Sequence, residues 1–254
     1  MILILSPAKT LEFDFTAKQN LTTPEFLAQS KQVMQALKPY TVTQLMELQD
    51  ISKALAELNF ERNKTWTADH NTPHVKPAIF AFKGDVYVGL QAETLTESNL
   101  EYAQAHLRIL SGLYGVLKPL DGILPYRLEM GTKLKVKSAS DLYKFWKQTP
   151  AKHLSETAKK AGTSLLLNLA SNEYFKAVDT KTLGLRIISP EFKEFKNGEY
   201  KIISFFAKKA RGEMARFVIE NKLTEPQQLE AFDLSGYRFN NALSKTDKPV
   251  FTRN

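Results

Sequence analysis

The sequence predicts an α+β fold, a mixed sheet with surrounding helices, and three observations carry that prediction. Short apolar runs of strand composition, such as Ile2–Leu5, Ser164–Leu169 and Leu185–Ser189, are scattered from one end to the other. Between them lie segments with the three-to-four-residue apolar spacing of amphipathic helices. The alternation lacks the even strand–helix rhythm of a doubly wound chain, which favours α+β over that class. The chain has 254 residues, 43% hydrophobic and 24% charged, enough to bury a substantial core. No tandem repeat, low-complexity tract or Gly/Ser linker divides it, so a single domain over residues 1–254 is expected.

Taken in order, Ile2–Leu5 reads as a buried strand: it is too short for a signal-peptide core and has no basic leader. Pro24 suits a helix start, and Phe26, Leu27, Val33, Met34 and Leu37 form an apolar stripe that stops before Pro39. Val42–Leu48 and Ile51–Phe60 predict two more helices, the second capped by Asp50. Ala78–Phe82 reads as a strand joined through the turn Lys83-Gly84-Asp85 to a second strand, Val86–Leu90. A helix from about Ser98 to Leu110 puts Leu100, Ala103, His106, Leu107 and Leu110 on one face, with His106 a core or boundary residue. Asn197-Gly198 is a hairpin signal joining Phe192–Phe195 to Glu199–Ala207. Tyr237–Asn240 and Val250–Thr252 read as short closing strands.

The stretch IISFFAKKARGEMARF, Ile202–Phe217, passes from an apolar run into Lys208, Lys209 and Arg211. Ala210, Met214, Phe217 and Val218 then recur with helical spacing. Cations near a helix start oppose the macrodipole unless an anion shares the site. Lys209–Glu213 and Arg216–Glu220 have ion-pair spacing, which gives those cations a structural use. Lys208 and Arg211 are left as the anion-ligand candidates.

Composition excludes several chemistries. Without cysteine there is no disulfide, thiolate metal site or cysteine nucleophile. His70 and His74 have i, i+4 spacing, but the intervening Asn71-Thr72-Pro73 argues against one helical face, and no metal is expected. GxGxxG, Walker A, HExxH and GxSxG motifs are absent, so no cofactor is expected and no catalytic residue is identified. No run approaches the roughly 20 apolar residues of a membrane span. A soluble, cytoplasmic protein without membrane contact is expected. The net charge of +8 is lopsided: residues 1–127 carry 12 Lys/Arg against 13 Asp/Glu, residues 128–254 carry 23 against 14. That bias suits an anionic partner such as nucleic acid or a phosphorylated molecule.

Four polar clusters fall at predicted strand ends or turns: Ser6-Pro7-Ala8-Lys9-Thr10, Lys83-Gly84-Asp85, Tyr126–Gly131 and Asn168–Tyr174. Each alone reads equally well as a cap, turn or salt bridge. Together with the cations at 208–211 they predict a shared polar cleft. Lys9, Lys83, Arg127, Lys208, Lys209 and Arg211 would supply positive charge there, and Ser6, Asp85, Glu129, Asn168, Ser171 and Glu173 the other polar groups. Separately, Gly112-Leu113-Tyr114-Gly115 in LRILSGLYGVL follows an apparent helix. It resembles the hairpin of a helix-hairpin-helix motif, whose glycines bring backbone N–H groups to a DNA phosphate. Arg108, Lys118 and Arg127 would add charge, while a plain glycine C-cap and turn is the alternative.

SPAKT, AFKGDVYVGLQAET, LRILSGLYGVLKPLDGILPYRLEMGTKL, NLASNEYF and IISFFAKKARGEMARFVIENKL together resemble the YaaA family of peroxide-stress resistance proteins, in similar order and spacing from Met1 to about Phe239. The resemblance implies a cytosolic protein of peroxide defence that limits oxidative DNA damage associated with free iron. It also implies a distinct YaaA-like fold with a positive cleft and a helix-hairpin-helix element, and binding to DNA. Such binding is expected mainly through backbone phosphates, with structure rather than sequence preference, since no recognition helix rich in Arg, Asn and Gln is evident. The DNA or anion contacts expected are Lys9, Lys83, Arg108, Gly112, Tyr114, Gly115, Lys118, Arg127, Lys208 and Arg211. The alternative is an enzyme acting on a nucleotide or other phosphorylated small molecule in the same cleft, with Asp85, Glu129 and Glu173 as acid–base groups. Direct iron sequestration is a third reading, weakened by the absence of cysteine and scarcity of histidine.

Overall fold

The structure, a computed structural model, describes residues 1–15, 20–70 and 72–254. The chain begins with β1 (Ile2–Leu5) and β2 (Thr10–Leu11), then α1 (Leu27–Leu37), α2 (Val42–Gln49) and α3 (Lys53–Thr65). Next come β3 (Lys76–Pro77), α4 (Ala78–Ala81), β4 (Phe82–Lys83), α5 (Asp85–Leu90) and α6 (Glu97–His106). A central run holds β5 (Leu107–Ser111), β6 (Gly115–Leu117), β7 (Gly122–Ile123), α7 (Leu142–Trp146), α8 (Thr149–Lys160) and β8 (Leu165–Asn168). The remainder is α9 (Asn172–Phe175), α10 (Thr180–Leu183), β9 (Arg186–Ile188), β10 (Glu191–Lys196), β11 (Glu199–Lys201), α11 (Ser204–Asn221), β12 (Arg238–Phe239) and β13 (Val250–Arg253).

The main sheet has the order β6-β5-β1-β8-β9. All four residues of β1 are buried, as expected of a continuous apolar run in a strand with neighbours on both sides. Leu3 lies opposite Leu107 of β5 and Leu167 of β8, both parallel to it. β9 continues the parallel set, and β6 closes one edge antiparallel. A second sheet has the order β11-β10-β13-β12. The expected α+β class with a mixed sheet therefore holds. The parallel core was hidden because the connection from β1 to β5 runs through α1 to α6 before returning to the sheet. Strand order reverses at β1: the chain moves to β5 on one side, then builds β8 and β9 on the other. Such a switch point opens a crevice beyond the carboxyl ends of the strands.

Several expectations need correction. Ala78–Ala81 and Val86–Leu90 are not strands: they fall on α4 and α5, short helices buried on most sides, and only Phe82 of the first run is in a strand, β4. A short, uniformly apolar run carries no period that separates the two states. The helix expected to reach Leu110 stops at His106, because Leu107–Ser111 pairs with β1 as a wholly buried strand. Ser52, not Asp50, caps α3 by accepting from the Leu55 N–H; Asp50 is the left-handed end of α2. The Asn197-Gly198 hairpin forms with φ of 55° and 84°, the paired positive values of a tight two-residue turn. Its second strand ends at Lys201, however, and α11 starts at Ser204, so Lys208, Lys209 and Arg211 lie beyond the first helical turn. The dipole argument for an anion at that helix start does not apply.

α11 crosses α5 at two glycines. A Cβ on Gly212 would collide with the Val86 carbonyl, and one on Gly89 with the Lys209 carbonyl. Side chains would separate the backbones here, so the crossing exists only because both positions lack them. Arg216 holds the far end of the contact by donating to the carbonyls of Leu90 and Gln91. The expected pairs Lys209–Glu213 (3.2 Å) and Arg216–Glu220 (2.6 Å) both form along α11.

Three histidines are fixtures of this fold. His106 Nδ1 lies 3.2 Å from the Met1 carbonyl, His153 Nδ1 3.2 Å from Glu25, and His70 Nε2 3.3 Å from the Tyr114 hydroxyl. Burial pushes each imidazole below its ordinary pKa, and at His153 the Glu25 carboxylate offsets part of that effect.

Replacing Gly212 by Ala tests the crossing. In an open helix the change stabilises by about 0.5–1 kcal/mol. Here it should destabilise by about 1–3 kcal/mol, the usual cost of overpacking, read from chemical denaturation; a gain would mean the helices do not approach this closely. A second expectation follows from the histidines. Their depressed folded-state pKa values mean that the unfolded chain takes up protons first as pH falls through about 6.5. Their contribution to stability is therefore present above that pH and lost as pH falls through the lower folded values. Denaturation midpoints should drop between neutral pH and about 5, and His153→Gln should flatten the slope; an unchanged slope would contradict the assignment.

Candidate functional site

The switch point between β1 and β8 is closed by two serines. The Ser171 N–H donates to Ser6 Oγ at 2.9 Å, and the Ser6 hydroxyl lies 3.3 Å from that of Ser171. Each follows one of the central strands, so the two strand ends are clasped side by side. From Ser6 the chain runs through Pro7 and Lys9 into β2, where Thr10 pairs with Lys83 of β4. Gly84 then turns the chain with φ 153° and ψ 176°, a combination essentially restricted to glycine. A Cβ at Gly84 would sit 3.3 Å from that of Ala8. α5 begins at once with Asp85 and Val86, and the buried Tyr87 hydroxyl donates to the Ser6 carbonyl at 3.0 Å.

Glu173 and Tyr174 come from α9, and Lys208 and Arg211 from α11, held in place by its crossing over α5. The result is one cleft of about 340 Å³ lined by Ser6, Lys9, Lys83, Asp85, Ser171, Glu173, Lys208 and Arg211 among others. Three of the four predicted clusters thus meet the cations of α11 in a single crevice.

The cations of this cleft fall into two groups. Lys83 is paired with Glu93, and Lys9 with Glu129 at 3.1 Å. Lys208 and Arg211 have no ion-pair or hydrogen-bond partner among the described residues. Burial lowers the Arg211 pKa, but a guanidinium stays charged at any physiological pH. Burial likewise raises the Tyr87 and Tyr174 hydroxyls well above their ordinary value, so both remain neutral donors. Glu173 Oε1 accepts from the Gly131 N–H at 2.9 Å, which ties α9 to the third cluster, Tyr126–Gly131. Asp85 makes no side-chain hydrogen bond among the described residues. Two cations without counter-ions, hydroxyls at the strand ends and two carboxylates suit binding of an oxyanion beside acid–base groups.

Other expected residues stand elsewhere. Glu129 and Arg127 form a pair of 3.0 Å behind Lys9 instead of lining the cleft. Asn168 bonds Ser189 and the Ala170 N–H, shaping the turn toward Ser171. Arg108 and Lys118 line a different cleft, beside His106 and His153 where β5 begins. The helix-hairpin-helix reading fails locally: Gly112–Gly115 turns between strands β5 and β6, with Gly112, Tyr114 and Gly115 buried. The Gly112 carbonyl accepts from Trp146 Nε1 at 2.9 Å, and a Cβ on Gly115 would enter the Trp146 ring. The Tyr114 hydroxyl accepts from Trp66 at 3.0 Å. These glycines admit an indole, and no backbone N–H in the turn is open to a phosphate.

Sequence reasoning missed Tyr87 as a lining residue, and it missed Gly89 and Gly212. Tyr87 was lost inside a run read as a strand; nothing in the sequence says that Gly89 and Gly212 face one another. Asn71, which entered the argument against a His70–His74 metal site, lies outside the described residues. Among the described residues no group of three or more His, Asp or Glu side chains is arranged to hold a metal. No described helix is long and apolar enough to cross a membrane.

Comparison with known proteins assigns the chain to a family. The profile of a family described as peroxide stress protein YaaA matches residues 1–243. A UPF0246 protein of Shewanella sp. (strain ANA-3) is 48% identical over 254 residues, covering 100% of this chain and 99% of its own. One from Shewanella sp. (strain MR-4) is equally similar, at 48% over the same spans. With the profile running through the strand-end serines, the Gly84 turn and the cations of α11 alike, the chain belongs to the YaaA family of peroxide stress proteins.

Proposed function

We propose that this protein serves peroxide defence by binding a phosphorylated small molecule, of the nucleotide class, in the cleft between β1 and β8. The observation that carries the reading is the pair Lys208 and Arg211, without counter-ions among the described residues, in the same 340 Å³ crevice as Ser6 and Ser171. Arg211 is partly desolvated without a counter-ion, which is costly, and an anion removes the cost, with exposed Lys208 adding charge beside it. The carboxyl ends of parallel strands at a switch point are where α/β-type sheets take such ligands. Asp85 and Glu173 in the same crevice would supply a proton donor and acceptor if a reaction follows binding. Fold and family do not specify that reaction.

DNA binding is the second reading, tied to limiting oxidative damage associated with free iron. It draws on Lys9, whose side chain is 65% exposed at the rim, on exposed Lys208, and on the excess of cations in residues 128–254. Cations at a rim reach backbone phosphate without reading bases. The two readings separate on shape: a compact crevice with carboxylates favours the small molecule, an extended basic surface the polymer.

Binding of nucleoside mono- and diphosphates and of duplex DNA would be compared for the native protein and the Lys208→Gln/Arg211→Gln variant. On the small-molecule reading the variant loses at least about tenfold in nucleotide affinity, since charge-assisted contacts are each worth about 1.5–3 kcal/mol. Native nucleotide affinity in that variant would remove the site from consideration. On the DNA reading, log affinity for duplex falls steeply with log salt concentration; a flat plot would dismiss phosphate-backbone binding.

A further inference from the structure

At the opposite end of the sheet, where β1 and β5 begin, lies a second cleft of about 460 Å³. Arg108 of β5 lines it and is only 6% exposed. Burying a guanidinium calls for a counter-ion or a full set of acceptors. Arg108 Nη1 donates to the carbonyls of Gln104 (3.0 Å) and Leu107 (2.7 Å), and Nε donates to His153 Nε2 at 3.1 Å. Nη2 has no acceptor among the described residues, and no carboxylate comes within ion-pair distance of Arg108. Asp121 and Glu25 act on it only through space, and Asp121 is itself bound by the Thr22 hydroxyl and the Lys118 N–H.

The surrounding groups sharpen the point. Arginine has no lone pair to offer, so the 3.1 Å contact requires His153 Nε2 to be the acceptor. The imidazole proton then sits on Nδ1, facing Glu25 at 3.2 Å. Glu25 and His153 therefore orient the guanidinium from one side without neutralising it by contact. Lys118 and Lys160 line the same cleft, and neither has an ion-pair partner among the described residues. Glu156 is also in the lining, on the exposed last turns of α8. Among the lining residues three cations face two carboxylates, one of them engaged by His153; the buried Asp121 acts on Arg108 only through space, so none of the three cations is neutralised by contact among the described residues.

We infer that this cleft is a second, independent anion site, which takes a phosphoryl group on Arg108 with Lys118 and Lys160 closing over it. A dianion matches three cations better than a single carboxylate does, and the two N–H bonds of Arg108 Nη2, left over by the other acceptors, can donate to it. The site stands on different strands and different residues from the crevice at Ser6 and Ser171, and it does not depend on the function proposed for that crevice.

Inorganic phosphate is the probe, titrated into protein that carries Lys208→Gln and Arg211→Gln so that the other cleft is silent. Thermal stabilisation and ¹H–¹⁵N spectra of the imidazole and guanidinium groups would be followed, with acetate and chloride at matched ionic strength as references. Saturable phosphate binding is expected, with shifts at His153 and at Arg108 Nε, and acetate should bind at least about tenfold more weakly. Adding the surface changes Lys118→Gln and Lys160→Gln should weaken phosphate about tenfold or more while leaving the unliganded melting point near its starting value. Arg108→Lys should weaken it further, and because that change is buried its folding would be checked separately by the melt. Absence of saturable binding in the first background, equal binding of acetate, or phosphate affinity unaffected by the Lys118/Lys160 changes would each overturn the proposal.

Discussion

The cleft depends on two side chains that are not there. Gly89 and Gly212 let α5 and α11 approach until the backbone of one helix touches that of the other. α5 is also the continuation of the Gly84 turn and carries Tyr87, which is bonded to the Ser6 carbonyl. The crossing therefore fixes α11, a late element of the chain, against the ends of the earliest strands. Lys208 and Arg211 sit on the turns of α11 flanking the contact, so their position is set by helix packing and not by their own bonds. A close backbone contact is stiff in a way that long side chains are not, and it sets where the two cations leave the helix.

Charge in this cleft is divided between groups already satisfied and groups left free. Glu129 receives both Lys9 and Arg127, and Glu93 receives Lys83. Those carboxylates neutralise the cations contributed by the early part of the chain. No equivalent carboxylate meets Lys208 or Arg211 among the described residues, while the neighbouring Lys209 and Arg216 are paired along the same helix. One helix thus carries structural and unsatisfied cations on adjacent positions, and the difference follows from which residues have Glu four positions later. The spacing that identifies the structural pair is visible in sequence, and so, by elimination, is the free pair.

Legibility followed from how local the determining physics is. The hairpin at Asn197-Gly198, the stripe of α1 and the ion pairs of α11 depend on residues a few positions apart, and all were readable. The polar clusters at strand ends were readable because apolar strands end abruptly in SPAKT and NLASNEYF. α4 and α5 were misread because burial on most sides erases periodicity. LRILS was assigned to the preceding helix because its partner in β1 lies over a hundred positions away. The turn at Gly112–Gly115 shows the limit most clearly: the same glycine spacing fits a phosphate-binding hairpin and a pocket for Trp146, and only the position of the indole separates them. Arg108 and Lys118 were expected to contact an anion on charge alone, and their neighbourhood with His153 and Glu25 was invisible before the strands were in place.

The central position of β1 has a consequence for biosynthesis. Ile2–Leu5 is synthesised well before its two neighbours in the sheet, β5 and β8. At translation speeds of about 5–20 residues per second, β8 follows roughly ten seconds or more behind β1. Through that interval the most apolar strand of the sheet has no native partner and presents two open edges. Non-local pairing of this kind is slow to form and exposed to intermolecular pairing meanwhile. The order of the strands therefore sets how long the nascent chain must wait before β1 can pair natively.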